Sequence, residues 1–61
     1  MKIVAKTRKA QQRIRLAGTD EATILRHAAH LPMGPGPWTL VAFGEHSRWI
    51  HAADKDFELR A

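Results

Sequence analysis

Gly18-Thr19-Asp20-Glu21-Ala22-Thr23-Ile24-Leu25-Arg26-His27-Ala28-Ala29-His30-Leu31-Pro32 is the stretch on which the reading of this chain turns. Gly18 interrupts what precedes it. Thr19, Asp20 and Glu21 supply side chains that cap a helix start, with two carboxylates where the helix dipole favours negative charge. Ile24, Leu25, Ala28 and Leu31 then recur at helical spacing, with Thr23, Arg26, His27 and His30 on the opposite face. Pro32 ends the run, and Gly34-Pro35-Gly36-Pro37 cannot continue a regular element. The spacing therefore predicts a helix over residues 20–31 and a loop over 32–37.

Downstream of that loop, Trp38 to Phe43 and Arg48 to Ala52 are short runs rich in aromatic and β-branched residues. They flank Gly44-Glu45-His46-Ser47 and read as a β-hairpin. Asp54-Lys55-Asp56 is turn-like, and the alternation in Phe57-Glu58-Leu59-Arg60 predicts a third strand, making residues 38–60 a β-meander.

Upstream, residues 1–17 read in two ways. As strands, Ile3 to Thr7 and Arg13 to Leu16 flank a turn near Arg8 to Gln12. As a helix, Lys2, Lys6, Lys9 and Arg13 line one face and Ile3, Ala10, Ile14 and Ala17 another. The alternation of Arg13-Ile14-Arg15-Leu16 favours strands, whereas the lack of Gly, Asn or Asp at the turn counts against a hairpin. We take the strands. The expected architecture is a single small α+β domain over residues 1–61, in the order ββαβββ, with one helix on one face of an antiparallel sheet.

With 61 residues and no cysteine, the chain lies near the lower size limit for folding without covalent staples or thiolate metal sites. Absence of Cys fits a reducing compartment. Ile3, Val4, Ile14, Leu16, Ile24, Leu25, Leu31, Trp38, Leu40, Val41, Phe43, Trp49, Ile50, Phe57 and Leu59 are the residues able to build a core. The longest apolar run, Leu40 to Phe43, is a strand's worth and far from membrane-spanning length. Met1-Lys2-Ile3-Val4 is followed by charge rather than an apolar signal core. The expected location is the cytoplasm, without membrane contact.

Charge is the strongest functional signal. Residues 1–18 carry Lys2, Lys6, Arg8, Lys9, Arg13 and Arg15 and no carboxylate, a local charge of +6. Residues 19–61 set Arg26, Arg48, Lys55 and Arg60 against Asp20, Glu21, Glu45, Asp54, Asp56 and Glu58, leaving −2. The net +4 thus conceals a polarised molecule. Cations gathered on one segment steer polyanions and acidic partners, and each one that neutralises a phosphate releases counterions. Gln11, Gln12 and Thr7 add neutral donors to the same segment. The rival reading of the same charge is a solvated face that only keeps a small protein in solution.

Other constellations carry less. His27 and His30, one helical turn apart, with His46 and His51 from the hairpin and Asp54 or Asp56 nearby, have metal-binding chemistry, but no HExxH or Cys accompanies them. Polar surface histidines are the simpler account, and no metal or other cofactor is expected. Trp38 and Trp49, with Val41 and Phe43, are read first as core residues of the hairpin; the rival is that one face cannot bury them all, and a Trp left outside would mark a protein interface or a base-stacking platform. Catalysis has little to build on: Ser47 is the one serine, there is no Cys or Tyr, and prolines spoil the Gly34–Pro37 stretch as a phosphate cradle.

The expected function is binding without catalysis, with the basic N-terminal segment engaging DNA, RNA or an acidic protein surface. The alternative is a small inhibitor or adaptor of the kind phages and other mobile elements use. It would contact a host protein complex through the Trp-bearing hairpin, or pair with a second copy of itself.

Overall fold

Arg8-Lys9-Ala10-Gln11-Gln12-Arg13-Ile14-Arg15-Leu16-Ala17 consists, apart from Ile14, of strong helix formers. In the computed structural model, which describes residues 1–61, they form the one helix, α1 (Arg8–Ala17). Thr7 caps its start: the hydroxyl oxygen accepts from the Ala10 N–H at 3.1 Å while the hydroxyl donates to Asp56 Oδ1 at 3.0 Å. Gly18 ends it in the left-handed conformation, φ 78°, with its N–H directed at the Arg15 and Ile14 carbonyls. Ala10, Ile14 and Ala17 recur three and four residues apart and turn inward.

Five strands complete the fold: β1 (Lys2–Ala5), β2 (Thr23–Leu31), β3 (Gly34–Phe43), β4 (His46–His51) and β5 (Phe57–Arg60). β1 pairs antiparallel with β5 in the register Ile3↔Leu59 and Ala5↔Phe57. β2, β3 and β4 form a second antiparallel sheet in that order. The two sheets are stitched together where β1 meets the entry to β2. There the Ile3 N–H donates to the Asp20 carbonyl at 2.9 Å and the Ala22 N–H to the Met1 carbonyl at 2.8 Å, around the bridge Lys2↔Glu21. The strands thus run β5-β1-β2-β3-β4 in space, and a cleft separates β4 from β5. Ile3, Ala10, Ala22, Val41, Phe43, Ile50 and Phe57 fill the interior, with Ala5, Ile14, Ala17 and Leu59 packed against them. Burial of Phe57, Ile3 and Val41 is worth about 1.5–3 kcal/mol each.

The class is α+β, with the helix packed on the strands of a mostly antiparallel sheet, but the elements are ordered βαββββ. Residues 23–31 are a strand where helical spacing predicted a helix over 20–31, and the reason lies in two register shifts. β2 slips against β3 between Ile24 and Arg26 and again between Ala28 and His30. At the first, the extra residue is Leu25 on β2, which resets that strand's alternation; at the second it lies on β3, where Gly36 and Pro37 stand opposite Ala29 alone. A strand whose period of two is broken at Leu25 loses the alternation that would set it apart from a helix. The expected strand over 13–16 falls inside α1, because its alternation is shorter than the Ala10–Ile14–Ala17 helical repeat that buries apolar surface.

Gly34 to Pro37, expected as loop, is the start of β3. Pro35 and Pro37 are tolerated because β4 ends at the Trp38↔His51 pair, so no ladder on that side needs their missing N–H groups. Gly36 is held close to β2, with a Cβ there lying 2.9 Å from both the Ala28 and Ala29 carbonyl oxygens. The hairpin of 38–52 is present as β3 and β4, turning at Gly44-Glu45 with Gly44 at φ 62°. The third strand exists at Phe57–Arg60, yet it pairs with β1 rather than extending a meander.

Candidate nucleic-acid interface

Helix geometry decides what the basic segment can present. With Ala10, Ile14 and Ala17 turned inward, Arg8, Lys9, Gln11, Gln12, Arg13, Arg15 and Leu16 are all exposed. At 100° per residue, Arg8, Gln12 and Arg15 lie along the ridge opposite the buried stripe, Leu16 beside them, Lys9 and Arg13 on one flank and Gln11 on the other. Leu16 is 79 % exposed, the most exposed large apolar residue of the chain. Arg8, Gln11, Gln12 and Arg15 line a shallow cleft of about 320 Å³ with no apolar wall.

Outside α1 the fold pairs three cations internally, Lys2, Arg48 and Arg60, and leaves Arg26 of β2 and Lys55 of the loop before β5 exposed and singly placed. Lys2 Nζ lies 3.0 Å from Asp20 Oδ1 and 2.8 Å from Glu21 Oε1. Arg60 pairs with Glu58 at 2.7 Å. Arg48 reaches Asp54 at 3.9 Å while its guanidinium lies over the Phe57 ring, 4.7 Å from the centroid. None of Arg8, Lys9, Arg13 or Arg15 has a carboxylate within the 4.0 Å of an ion pair. Arg8 and Lys9 moreover occupy the first turn, where the helix dipole disfavours positive charge, and no acidic residue accompanies them there. Four cations without an ion-pair partner thus lie on the exposed side of α1.

Of the six basic residues singled out from the sequence, the structure thus gathers four on α1 and separates two. Lys2 is held on β1 by Asp20 and Glu21. Glu21 and then Asp20 hold the Lys2 ammonium above the ordinary lysine range, and Lys2 holds the Glu21 carboxyl below the ordinary glutamate range. Lys6 donates from Nζ to the Asp54 carbonyl and so ties the start of α1 to the loop before β5. That loop is organised by Asp54, whose Oδ1 accepts from the Asp56 N–H at 2.8 Å and the Phe57 N–H at 2.9 Å.

The histidines disperse. His27 Nδ1 is 3.4 Å from Thr39 Oγ1, His30 sits opposite Pro35, and His46 stacks on Phe43 with centroids 5.8 Å apart. His51 Nδ1 accepts from the Ala53 N–H at 2.9 Å, which makes Nε2 the protonated nitrogen; it donates to the Pro35 carbonyl at 3.1 Å. No three His, Asp or Glu side chains converge as a metal site would require.

Strand alternation sorts the expected Trp surface. Val41 and Phe43 point inward and are buried, so they present nothing to a partner. Trp38 and Trp49, with Leu40, lie on the opposite face of the three-stranded sheet, half-buried, and no element packs over them. Trp38 Nε1 donates to the Gly34 carbonyl at 3.0 Å and its ring meets His51 edge-on at 4.8 Å. The exposure of Leu16 was the one feature of the α1 face that strand alternation concealed; a helical wheel begun at Thr7 places it outside. No helix is long and apolar enough to cross a membrane. Comparison with protein-family models, curated proteins and solved structures finds no match.

Proposed function

We propose that the protein is a small nucleic-acid-binding domain that acts by binding rather than by catalysis, and that α1 is its contact surface. The observation that carries this reading is the set Arg8, Lys9, Arg13 and Arg15, exposed together on one helix and free of any carboxylate partner, whereas Lys2, Arg48 and Arg60 are internally paired and the other unpaired cations, Arg26 and Lys55, stand singly. The apolar stripe of α1 is already spent on the protein's own core, which argues against the helix lying in a lipid interface. Fluorescence anisotropy with labelled duplex and single-stranded DNA tests the reading. Binding at 50 mM salt that weakens steeply as salt rises is expected, and no binding to any nucleic acid at that salt overturns it.

A second reading rests on a different surface. Trp38, Leu40 and Trp49 share a sheet face that nothing in the chain covers, and Trp is enriched among the residues that anchor protein interfaces. On this reading the protein is an adaptor or inhibitor of a protein partner. Loss of partner capture on Trp49→Ala, with DNA binding intact, would favour it.

A further inference from the structure

Resting on the reading of α1 as a nucleic-acid contact, we infer that α1 enters the major groove of duplex DNA and reads base edges there, so that the protein is sequence-selective. Three features of α1 go beyond general attraction for phosphate.

The first is shape. A ten-residue helix is about 15 Å long, and the B-form major groove, about 12 Å wide, admits a helix only if most of its circumference is free. Only Ala10, Ile14 and Ala17 of α1 turn into the core. The second is the chemistry of the ridge. Arg8, Gln12 and Arg15 stand outermost, and arginine and glutamine are the side chains that make paired hydrogen bonds to guanine and to adenine in that groove. Lys9 and Arg13 on the flank are placed for phosphates, which fix orientation without reading sequence.

The third is Leu16. Its 79 % exposure wins nothing in the folded protein, whereas an apolar group beside the Gln12–Arg15 ridge can pack on a thymine methyl. A helix of this length spans about four base pairs, so the selected motif should be short. Duplex RNA is excluded as an equal partner, because the major groove of A-form helices is too narrow and deep for side chains to read.

In vitro selection from a random duplex DNA library, using the intact chain, tests the inference. Enrichment of a short motif is expected. Gln12→Ala, at an exposed position where alanine favours the helix, should reduce the preference at one motif position by roughly 5- to 150-fold. It should leave the salt slope unchanged, whereas Lys9→Gln should flatten the slope and spare the motif. Duplex binding with the expected salt slope but no enriched motif overturns the major-groove inference and leaves the nucleic-acid reading standing. Duplex RNA of the selected sequence binding as tightly as the DNA has the same consequence. No binding to either nucleic acid removes both.

Discussion

Gly44, in the turn between β3 and β4, lies directly beneath the last turn of α1: a Cβ added there would sit 2.6 Å from the Ala17 carbonyl oxygen and 3.3 Å from the Ala17 Cβ. Backbone meets backbone at this point, and neither side can give cheaply. The contact fixes the C-terminal end of α1 on the sheet and, with it, the direction in which Arg15 and Leu16 project.

Gly44→Ala therefore combines a left-handed φ of 62° with a clash, and is expected to cost about 3 kcal/mol or more. Gly18→Ala has a similar φ, 78°, but open space around it, and should cost only about 1–2 kcal/mol. Thermal melts of the two variants check this. Equal losses would mean that the Ala17 contact contributes nothing.

The loop before β5 depends on one carboxylate. Asp54→Ala removes the acceptor of two backbone N–H groups and the partner of Arg48, at a side chain only 13 % exposed. A loss of about 2–4 kcal/mol is expected, and a smaller one for Asp54→Asn, whose amide oxygen still accepts. Urea unfolding distinguishes the two; an Asn variant as damaged as Ala would place the weight on the Arg48 pair instead.

The Lys2–Glu21 pair gives a signed pH dependence. Because Lys2 lowers the Glu21 pKa, the stability that the pair contributes is present above the ordinary glutamate range and is lost as pH falls through the depressed value. At the alkaline end the raised Lys2 pKa keeps its contribution until pH rises past the ordinary lysine range. Lys2→Gln should thus destabilise more at neutral pH than in strong acid, and should return the Glu21 carboxyl titration, followed by NMR, to the ordinary range. Both residues are exposed, so the effect on melting temperature should be small. A Glu21 titration unmoved by the substitution would show that Lys2 is not its cause.

The two aromatic environments should separate in mutagenesis. Phe57, 2 % exposed, is expected to cost about 3–5 kcal/mol as Phe57→Ala. Trp49, half-buried on the uncovered sheet face, should cost clearly less as Trp49→Ala, and acrylamide should quench the indole fluorescence in part. Indoles fully shielded in a monomer would remove the surface on which a protein-partner reading depends.

Local chemistry made some of this architecture legible and hid the rest. β1, the β3–β4 hairpin with its Gly44 turn, and β5 announce themselves through β-branched and aromatic residues between turn signals. α1 also carried its signature, in Thr7, the Ala10–Ile14–Ala17 repeat and Gly18, but the alternation of Arg13 to Leu16 competed with it. β2 could not be read locally. Its bulge at Leu25 and the β3 bulge opposite Ala29 arise from the pairing of the two strands, and Ala28 and Ala29 favour helix until that pairing overrides them. The basic surface was visible as composition; which four of its six cations are free depends on where Asp20, Glu21 and the Asp54 carbonyl come to lie, and that is a property of the fold.

Whether α1 is the contact surface is tested most directly by the salt dependence of duplex binding in two double variants, Lys9→Gln/Arg13→Gln and Lys2→Gln/Lys6→Gln. With Lys9 and Arg13 as the phosphate contacts of α1, the wild-type slope of log K against log salt should be about −2, steepening to about −3 to −4 if Arg8 and Arg15 also meet phosphates. The α1 variant should flatten that slope by nearly 2, and the Lys2/Lys6 variant should leave it unchanged once both are confirmed folded. Equal flattening by the two, or a slope that neither alters, would contradict the assignment of α1 as the contact surface.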